Sequence, residues 1–278
     1  MKEEIFEAER ALFKLNNAKM SSCVFKKGES PLKHSANLSI KDTVFDYKYP
    51  MWYNQNIKAE NLILNQEARS GLWYAKNVDI RNSSINSPKT FRHSSFIQLD
   101  KVFMPNAPET MWFCNDINLN EIQIYGDYFA MNSHNIKADN ISINGNYAFD
   151  ACKNIIIKNS KILSKDAFWN CENVEVYDSY INGEYLAWNS KNIKFINCFI
   201  QSLQGLCYIE NLFIRNCVLS DSTLLFEYST VDIDVKSAIK SIFNPKSGII
   251  KANDIEKINL DKKESDVKSI QIIKRLEK

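Results

Sequence analysis

Apolar residues recur along this chain at two nested spacings. Within short segments they alternate with polar ones, as in KNIIIKNSKIL around Asn154 and ENVEVYDSYI around Asn173. Period-two alternation marks a β-strand with one buried face. The segments themselves also recur. From Asn154 the steps to Asn173, Asn192 and Asn211 are 19 residues each, and so are the steps back to Asn135 and Asp116. Farther back the steps are 19 to 21 residues, through Phe96, Asn77, Asn56 and Asn37 to Asn17, and forward the register reaches Thr230.

Aligned on these reference positions, the chain resolves into columns. One and three residues after the reference stand Leu38/Ile40, Ile57/Ala59, Val78/Ile80, Ile97/Leu99, Ile117/Leu119, Ile136/Ala138, Ile155/Ile157, Val174/Val176, Ile193/Phe195, Leu212/Ile214 and Val231/Ile233. Every one is apolar, in a chain that is 45% apolar. A second polar column stands five after, with Asp42, Asn61, Asn82, Asn140, Asn159, Asp178, Asn197 and Asn216, and another apolar one runs from Phe45 to Leu219, eight after.

A fixed period of this length predicts a repeat fold in which each coil buries its face only against its neighbours. The expected fold is all-β: a single-stranded parallel β-helix of about 12 coils of ~19 residues. Residues 17–239 carry the coils, 1–16 are expected to cap one end, and 240–278 to form a partial coil and a second cap. No linker interrupts the register, so one domain over 1–278 is expected. Leucine-rich repeats place Asn differently and need helical filler; left-handed hexapeptide helices need small residues and Gly every six. Neither pattern is present.

Composition sharpens this reading. The chain has 32 Asn and 7 Gly. Asn tolerates left-handed backbone and bonds its own backbone at turns, so the coils are expected to turn at Asn, with the amides bonding along the stack. Seven Cys without a C-x-x-C spacing argue against a disulfide framework and a standard zinc site. Cys114, Cys152 and Cys171 share a column with Ala75, Ser94, Ser133 and Ser190; Cys23, Cys198 and Cys217 share another, so small buried ladder residues account for them. A net charge of +2 gives no basic field for nucleic acid. No apolar run is long enough to cross a membrane as a helix, and the start, MKEEIFEAERALFKL, lacks the apolar core of a signal peptide. The expectation is a cytoplasmic protein.

Several longer segments carry a resemblance. RALFKL, KGESPLK, PKTFRH, PNAPETMW, GDYFAMNS, DAFWN, GEYLAWNS, SLQGLCYIENL and FEYSTVD together resemble an uncharacterised microbial family of pectin-lyase-like right-handed β-helix proteins. The resemblance implies the right hand of the coil and brings no activity with it.

Candidate chemistry lies just before the reference, in GDYFAMNS, GNYAFDAC, SKDAFWNC and GEYLAWNS. The column five before is apolar and expected to point inward. Its neighbour, four before, reads Trp52, Trp73, Arg92, Trp112, Met131, Asp150, Trp169, Trp188, Cys207 and Phe226, holds all five Trp, and should point outward if the strand is regular. Exposed indoles offer a stacking platform for sugar rings, with polar contacts from Arg92 and Asp150 and a second wall from Tyr128, Tyr147 and Tyr185. The expected ligand site is Trp112, Trp169, Trp188, those three Tyr, Arg92 and Asp150. The alternative is a row turned inward or covered by a second copy. Catalysis would need a pair of carboxylates, for which Asp150, Asp166 and Glu184 are candidates, or a cation beside a uronate, for which Arg92 is one. His34, His93 and His134 are read as standing in different columns, so no metal site is expected, nor any cofactor. The expected function is binding of a carbohydrate or protein partner along the aromatic face. A lyase or glycosidase and an oligomerising scaffold are the alternatives.

Overall fold

In the computed structural model, residues 1–261, 263 and 267–275 are described. The chain divides into two compact units, Met1–Asn144 and Gly145–Lys278. Each is a parallel β-solenoid, and the chain holds about 14 turns roughly 19 residues apart. In the first unit the strands Ala36–Lys41, Gln55–Glu60, Lys76–Ile85, Ser95–Met104, Asn115–Asn120 and His134–Asp139 stack in register, Leu38 on Ile57, Val78, Ile97, Ile117 and Ile136. In the second, Ile155 stacks on Val174, Ile193, Leu212 and Val231. No residue of the two apolar columns is more than 5% exposed.

The count exceeds the expected dozen because both ends are coiled. Ile5–Phe6 pairs with Val24–Phe25, so the stretch read as an N-terminal cap is itself a coil. At the other end Ile239–Phe243 pairs with Ile255–Asn259, and Ser247–Ala252 with Ile270–Lys274. Most of the charged run DKKESD and the residues after Arg275, expected to close this end, lie outside the described residues.

The half-coil before each reference is not a regular strand. Residues seven, five and three before it commonly take left-handed backbone, as at Tyr49 (62°), Met51 (60°) and Tyr53 (60°), and so do the reference Asn56 (56°) and Asn61 (53°). Left-handed backbone costs an L-residue about 1–2 kcal/mol, whereas burying a large apolar side chain contributes about 1.5–3 kcal/mol. Burial wins, so fully buried Phe168 sits at a φ of 61°. Bonds to both neighbouring coils hold this backbone: Met51 N–H donates to the Pro31 carbonyl (3.0 Å) and Tyr53 N–H to the Trp73 carbonyl (2.8 Å). Two successive residues turn inward here, such as Phe129 with Ala130 and Leu186 with Ala187.

The Asn ladders form as expected. Asn56 donates to Asn37 and Asn77 to Asn56, both at 2.8 Å. In the second unit Asn173, Asn192 and Asn211 each donate to the Asn one coil back, at 2.8–2.9 Å. The second polar column does the same, with Asn61 on Asp42 and Asn197 on Asp178. We expect Asn192→Ala, which loses two ladder bonds and must still adopt a φ of 55°, to destabilise the protein by about 1–2 kcal/mol. Asn192→Gly should lose less, because Gly adopts that backbone freely. Equal losses in thermal denaturation would show that the backbone conformation is not what selects Asn.

All seven Cys are free and buried. In their column, hydroxyl and thiol groups bridge coils: Ser133 Oγ donates to the Met111 carbonyl and accepts from Cys114 N–H, and Cys171 Sγ donates to the Phe149 carbonyl. Burial pushes the thiols of Cys114 and Cys207 up to about 12. Because all seven are buried, a disulfide reagent at mildly alkaline pH should find no reactive thiol in the folded chain and seven after denaturation. Rapid native reaction of any Cys would contradict this packing.

Candidate functional site

From Trp52 to Trp188 the Trp column points outward and is half-buried in both units, as the alternation suggested, but Cys207 in the next coil is fully buried. The last coil departs from that reading. Tyr208 N–H donates to the Glu227 carbonyl, so Glu227 occupies this column, while Phe226 is fully buried with a φ of 75° in the inward one. Thr230 lacks the left-handed turn of the other references, which shortens the coil by one residue there.

Each indole is tied down. The N–H groups of Trp73 and Trp112 donate to the carbonyls of Lys89 and Tyr128 at 2.7 Å. Those of Trp169 and Trp188 donate to Tyr185 (2.8 Å) and Gln204 (2.9 Å). Each ring thus reaches across to the next coil and occupies a backbone acceptor.

In the first unit both faces of Trp52 and Trp73, and one face of Trp112, are also covered. Lys33 Nζ lies 5.4 Å over Trp52, and Trp52 stacks on Trp73 at 5.1 Å and 4°. Arg92 lies between Trp73 and Trp112, 5.0 and 4.5 Å from their ring centres. Glu109 anchors it at 2.7 Å and also binds Lys89 at 3.1 Å. Arg92, a candidate contact for substrate, is here a cationic plate in a stack, an arrangement worth about 0.5–2 kcal/mol per ring.

Beside this stack runs another that the sequence reading missed. His34, Tyr53, Tyr74, His93 and Phe113, three before the reference, stack at 4.8, 4.8, 5.2 and 5.1 Å with interplanar angles of 8° or less. His134 stands in a different column, but His34 and His93 share this one, three coils apart. Tyr53 and Tyr74 separate them, and among the described residues no group of His, Cys, Asp or Glu could hold a metal ion. Five aromatic residues at one position of the repeat were the signal that could have revealed the stack. Burial and the nearby Lys33, Lys14 and Arg10 lower the pKa of His34.

The expected tyrosine wall packs against the indoles. Tyr128 meets Trp112 edge-on at 6.5 Å, and Tyr147 meets Trp169 at 6.1 Å and 85°. Tyr185 meets Trp188 at 5.4 Å.

In the second unit the indole stack is short. Trp169 stacks on Trp188 at 6.0 Å, and Tyr208 lies tilted over Trp188 at 5.1 Å. On the other side of Trp169 the column holds Asp150. Its Oδ1 accepts from Asn170 Nδ2 at 3.0 Å, which turns the carboxylate sideways, toward the neighbouring column. One face of Trp169 therefore has no ring or cation stacked on it, while Tyr147 stands at a right angle to it.

Asp166 lies at this corner. It is 2% exposed, and its Oδ2 is buried without a partner. Burial raises its pKa; Lys165 and a hydrogen bond with Tyr147 oppose the rise, and Glu184 and Asp150 add to it. Glu184 itself is occupied, bound to Lys165 at 3.1 Å. The structure thus brings Asp150, Asp166 and Glu184 together around Tyr147 and Trp169, and only Glu184 of the three has an ion-pair partner.

The first unit also bears a groove of about 580 Å3, lined by Asn37, Asn56, Lys58, Asn77, Asp79 and Phe96 among others. Its Asn amides are bonded to each other along the ladder, and no buried unpartnered polar atom is among its lining residues. The corner at Asp166 has the unsatisfied chemistry that this groove lacks.

The model of the family described as "Protein of unknown function (DUF3737)" matches residues 1–273. The chain belongs to that family. No curated protein matches this DUF3737 member. Among solved structures it is similar to the A-module of mannuronan C-5 epimerase AlgE6 from Azotobacter vinelandii, with 10% identity, a TM-score of 0.34, and coverage of 100% of this chain and 89% of that one. It is also similar to PfbA, a surface adhesin of Streptococcus pneumoniae, with 8% identity, a TM-score of 0.38, and coverage of 94% and 80%. A third is the pentapeptide repeat protein HetL of Nostoc, with 8% identity, a TM-score of 0.26, and coverage of 80% and 89%.

The raised pKa of Asp166 makes a testable statement about stability. Unfolded, Asp166 releases its proton near 3.8; folded, it holds the proton to higher pH. Stability is therefore lost as pH rises through that window. Asp166→Asn should melt above the parent protein near neutral pH, and the gap should close as pH falls below 3.8. A gap independent of pH in calorimetric scans would mean that the carboxylate is not the source of the penalty.

Proposed function

We propose that this β-solenoid binds carbohydrate, and that its sugar site is the break in the indole stack at Asp150 and Trp169. The observation that carries this reading is the difference between the two units. Sugar rings bind to open aromatic faces. In the first unit, both faces of Trp52 and Trp73 are covered by cations or by each other, and the remaining face of Trp112 adjoins Met131 rather than an acid. In the second, one face of Trp169 looks onto a short side chain turned aside. Tyr147 supplies a perpendicular wall, and Asp150 and Asp166 supply acceptors for hydroxyl groups. A few convergent polar groups beside an aromatic surface are what a sugar site needs. The aromatic row as a whole is then scaffold, and recognition is confined to its interruption.

A second reading has one observation in its favour. A buried carboxyl with raised pKa beside other carboxylates is a common form of general acid. On that reading Asp166 donates a proton to a glycosidic oxygen, and Asp166→Asn abolishes turnover without weakening binding.

A glycan array followed by titration of the hits tests the main proposal. Trp169→Ala should lose binding, while Trp73→Ala, whose ring faces are already covered, should retain it. Equal loss in both variants, or in neither, would remove Trp169 as the platform.

A further inference from the structure

We infer that the sugar recognised at the Trp169 corner carries a free ammonium group, so that the ligand class is amino sugars rather than uronates or neutral sugars. This rests on the carbohydrate-binding reading above and adds the charge of the ligand to it.

The argument is a charge count over the groups that line the corner. Among the described residues Asp150 and Asp166 form no ion pair, and Asp150 accepts from Asn170. Asp166 is 2% exposed and has an acceptor oxygen with no donor. The cation beside them, Lys165, attracts Asp166 but is bound to Glu184 at 3.1 Å, and its ammonium lies 5.6 Å over the Tyr185 ring. A uronate carboxylate entering here would meet two acids and no free cation. Like charges brought together in a partly desolvated site disfavour such a ligand strongly.

An ammonium group meets the opposite environment. The open face of Trp169 and the tyrosine set against it at 85° form two walls of an aromatic corner, and a cation is attracted to the face of an indole. Asp150 offers a carboxylate at the mouth, and the unpartnered Oδ2 of Asp166 offers a charge-assisted acceptor at the base. Such a bond also removes the cost of leaving that oxygen unsatisfied, so the gain comes from the protein as well as the ligand. The first unit shows the same chemistry with an internal cation: Arg92 lies on Trp73 and Trp112 and is bound to Glu109, with its Nε left unpartnered among the described residues. At Trp169 the aromatic face and the acids are present, and the nearby Lys165 is paired with Glu184 and lies over Tyr185 rather than over the indole.

Isothermal titration of the full chain with four probes tests this: a chitosan tetramer, its fully N-acetylated counterpart, tetragalacturonate and trilysine. The chitosan tetramer should bind about tenfold or more tightly than the N-acetylated form, and tetragalacturonate should not bind. Asp150→Asn, a half-exposed position whose neutral amide preserves size, should reduce chitosan affinity toward that of the N-acetylated form with a melting temperature no lower than the parent's. Trp169→Ala should abolish binding of both. Equal affinity for the chitosan and N-acetylated tetramers, both lost in Trp169→Ala, would overturn the charge assignment and leave the sugar site standing. Tighter binding of tetragalacturonate would overturn it as well. Trilysine binding more tightly than the chitosan tetramer would replace the amino sugar by a basic peptide. Binding of none of the four probes would remove both the charge assignment and the sugar site.

Discussion

A coil of about 19 residues has no inside until another coil covers it. Everything else in this structure follows from that constraint. Whatever stands at one position of the coil meets its own kind one coil on, about 4.8 Å away. Residues that interact well with themselves are therefore favoured at every position. Apolar side chains meet this condition at the inward positions, and Asn meets it at the corners, since its amide is donor and acceptor at once. Planar rings meet it on the outer face, because a ring can stack on the next ring. Charged residues do not, and they enter as alternating signs, such as Lys165 with Glu184 and Lys191 with Glu210.

The same constraint explains why a chain with so few Gly can turn so often. Gly would relieve the left-handed backbone at every corner, but it has no side chain to form a ladder. Asn accepts that backbone and also bonds along the stack. Gly is kept where a side chain cannot fit at all. A Cβ on Gly248 would stand 1.8 Å from the Val231 carbonyl oxygen, and one on Gly126 would stand 2.5 Å from Pro108 N. At the inward corner neither residue suffices, and buried Met, Leu and Phe adopt the left-handed backbone because burial outweighs its cost.

Columns of like residues were legible in the sequence because they are periodic. The apolar columns, the Asn ladders and the buried Cys and Ser all follow from counting, and the structure has them. What counting could not supply was conformation and orientation. The half-coil around Trp169 alternates in sequence like a strand, yet its backbone is a series of turns with two inward residues together. The outward direction of the Trp column was legible; the stacking that covers its faces was not, because it depends on how each indole is rotated to reach a carbonyl one coil on. Phe226 was misplaced by one residue, since a shortening between Phe226 and Val231 leaves the strand register intact. The burial of Asp166 was likewise invisible, because its sequence neighbours do not reveal that it turns inward.

In a structure made of self-complementary columns, a position that does not match its neighbours has to be satisfied some other way. Some mismatches here are satisfied within the fold. Arg92 replaces a Trp and is held by two rings and Glu109; Phe96 replaces an Asn and carries Lys76 over its ring. Asp150 replaces a Trp without such compensation: it leaves an indole face uncovered and adds a negative charge beside a buried carboxylate that Tyr147 bonds but whose Oδ2 lacks a donor among the described residues. The penalty on Asp166 is therefore a departure from what the ladders achieve elsewhere in the chain. Stability alone favours a ring at position 150 and an amide at 166. The acids in their place lower stability locally and leave an aromatic face and a carboxylate oxygen that the described residues of the fold do not satisfy.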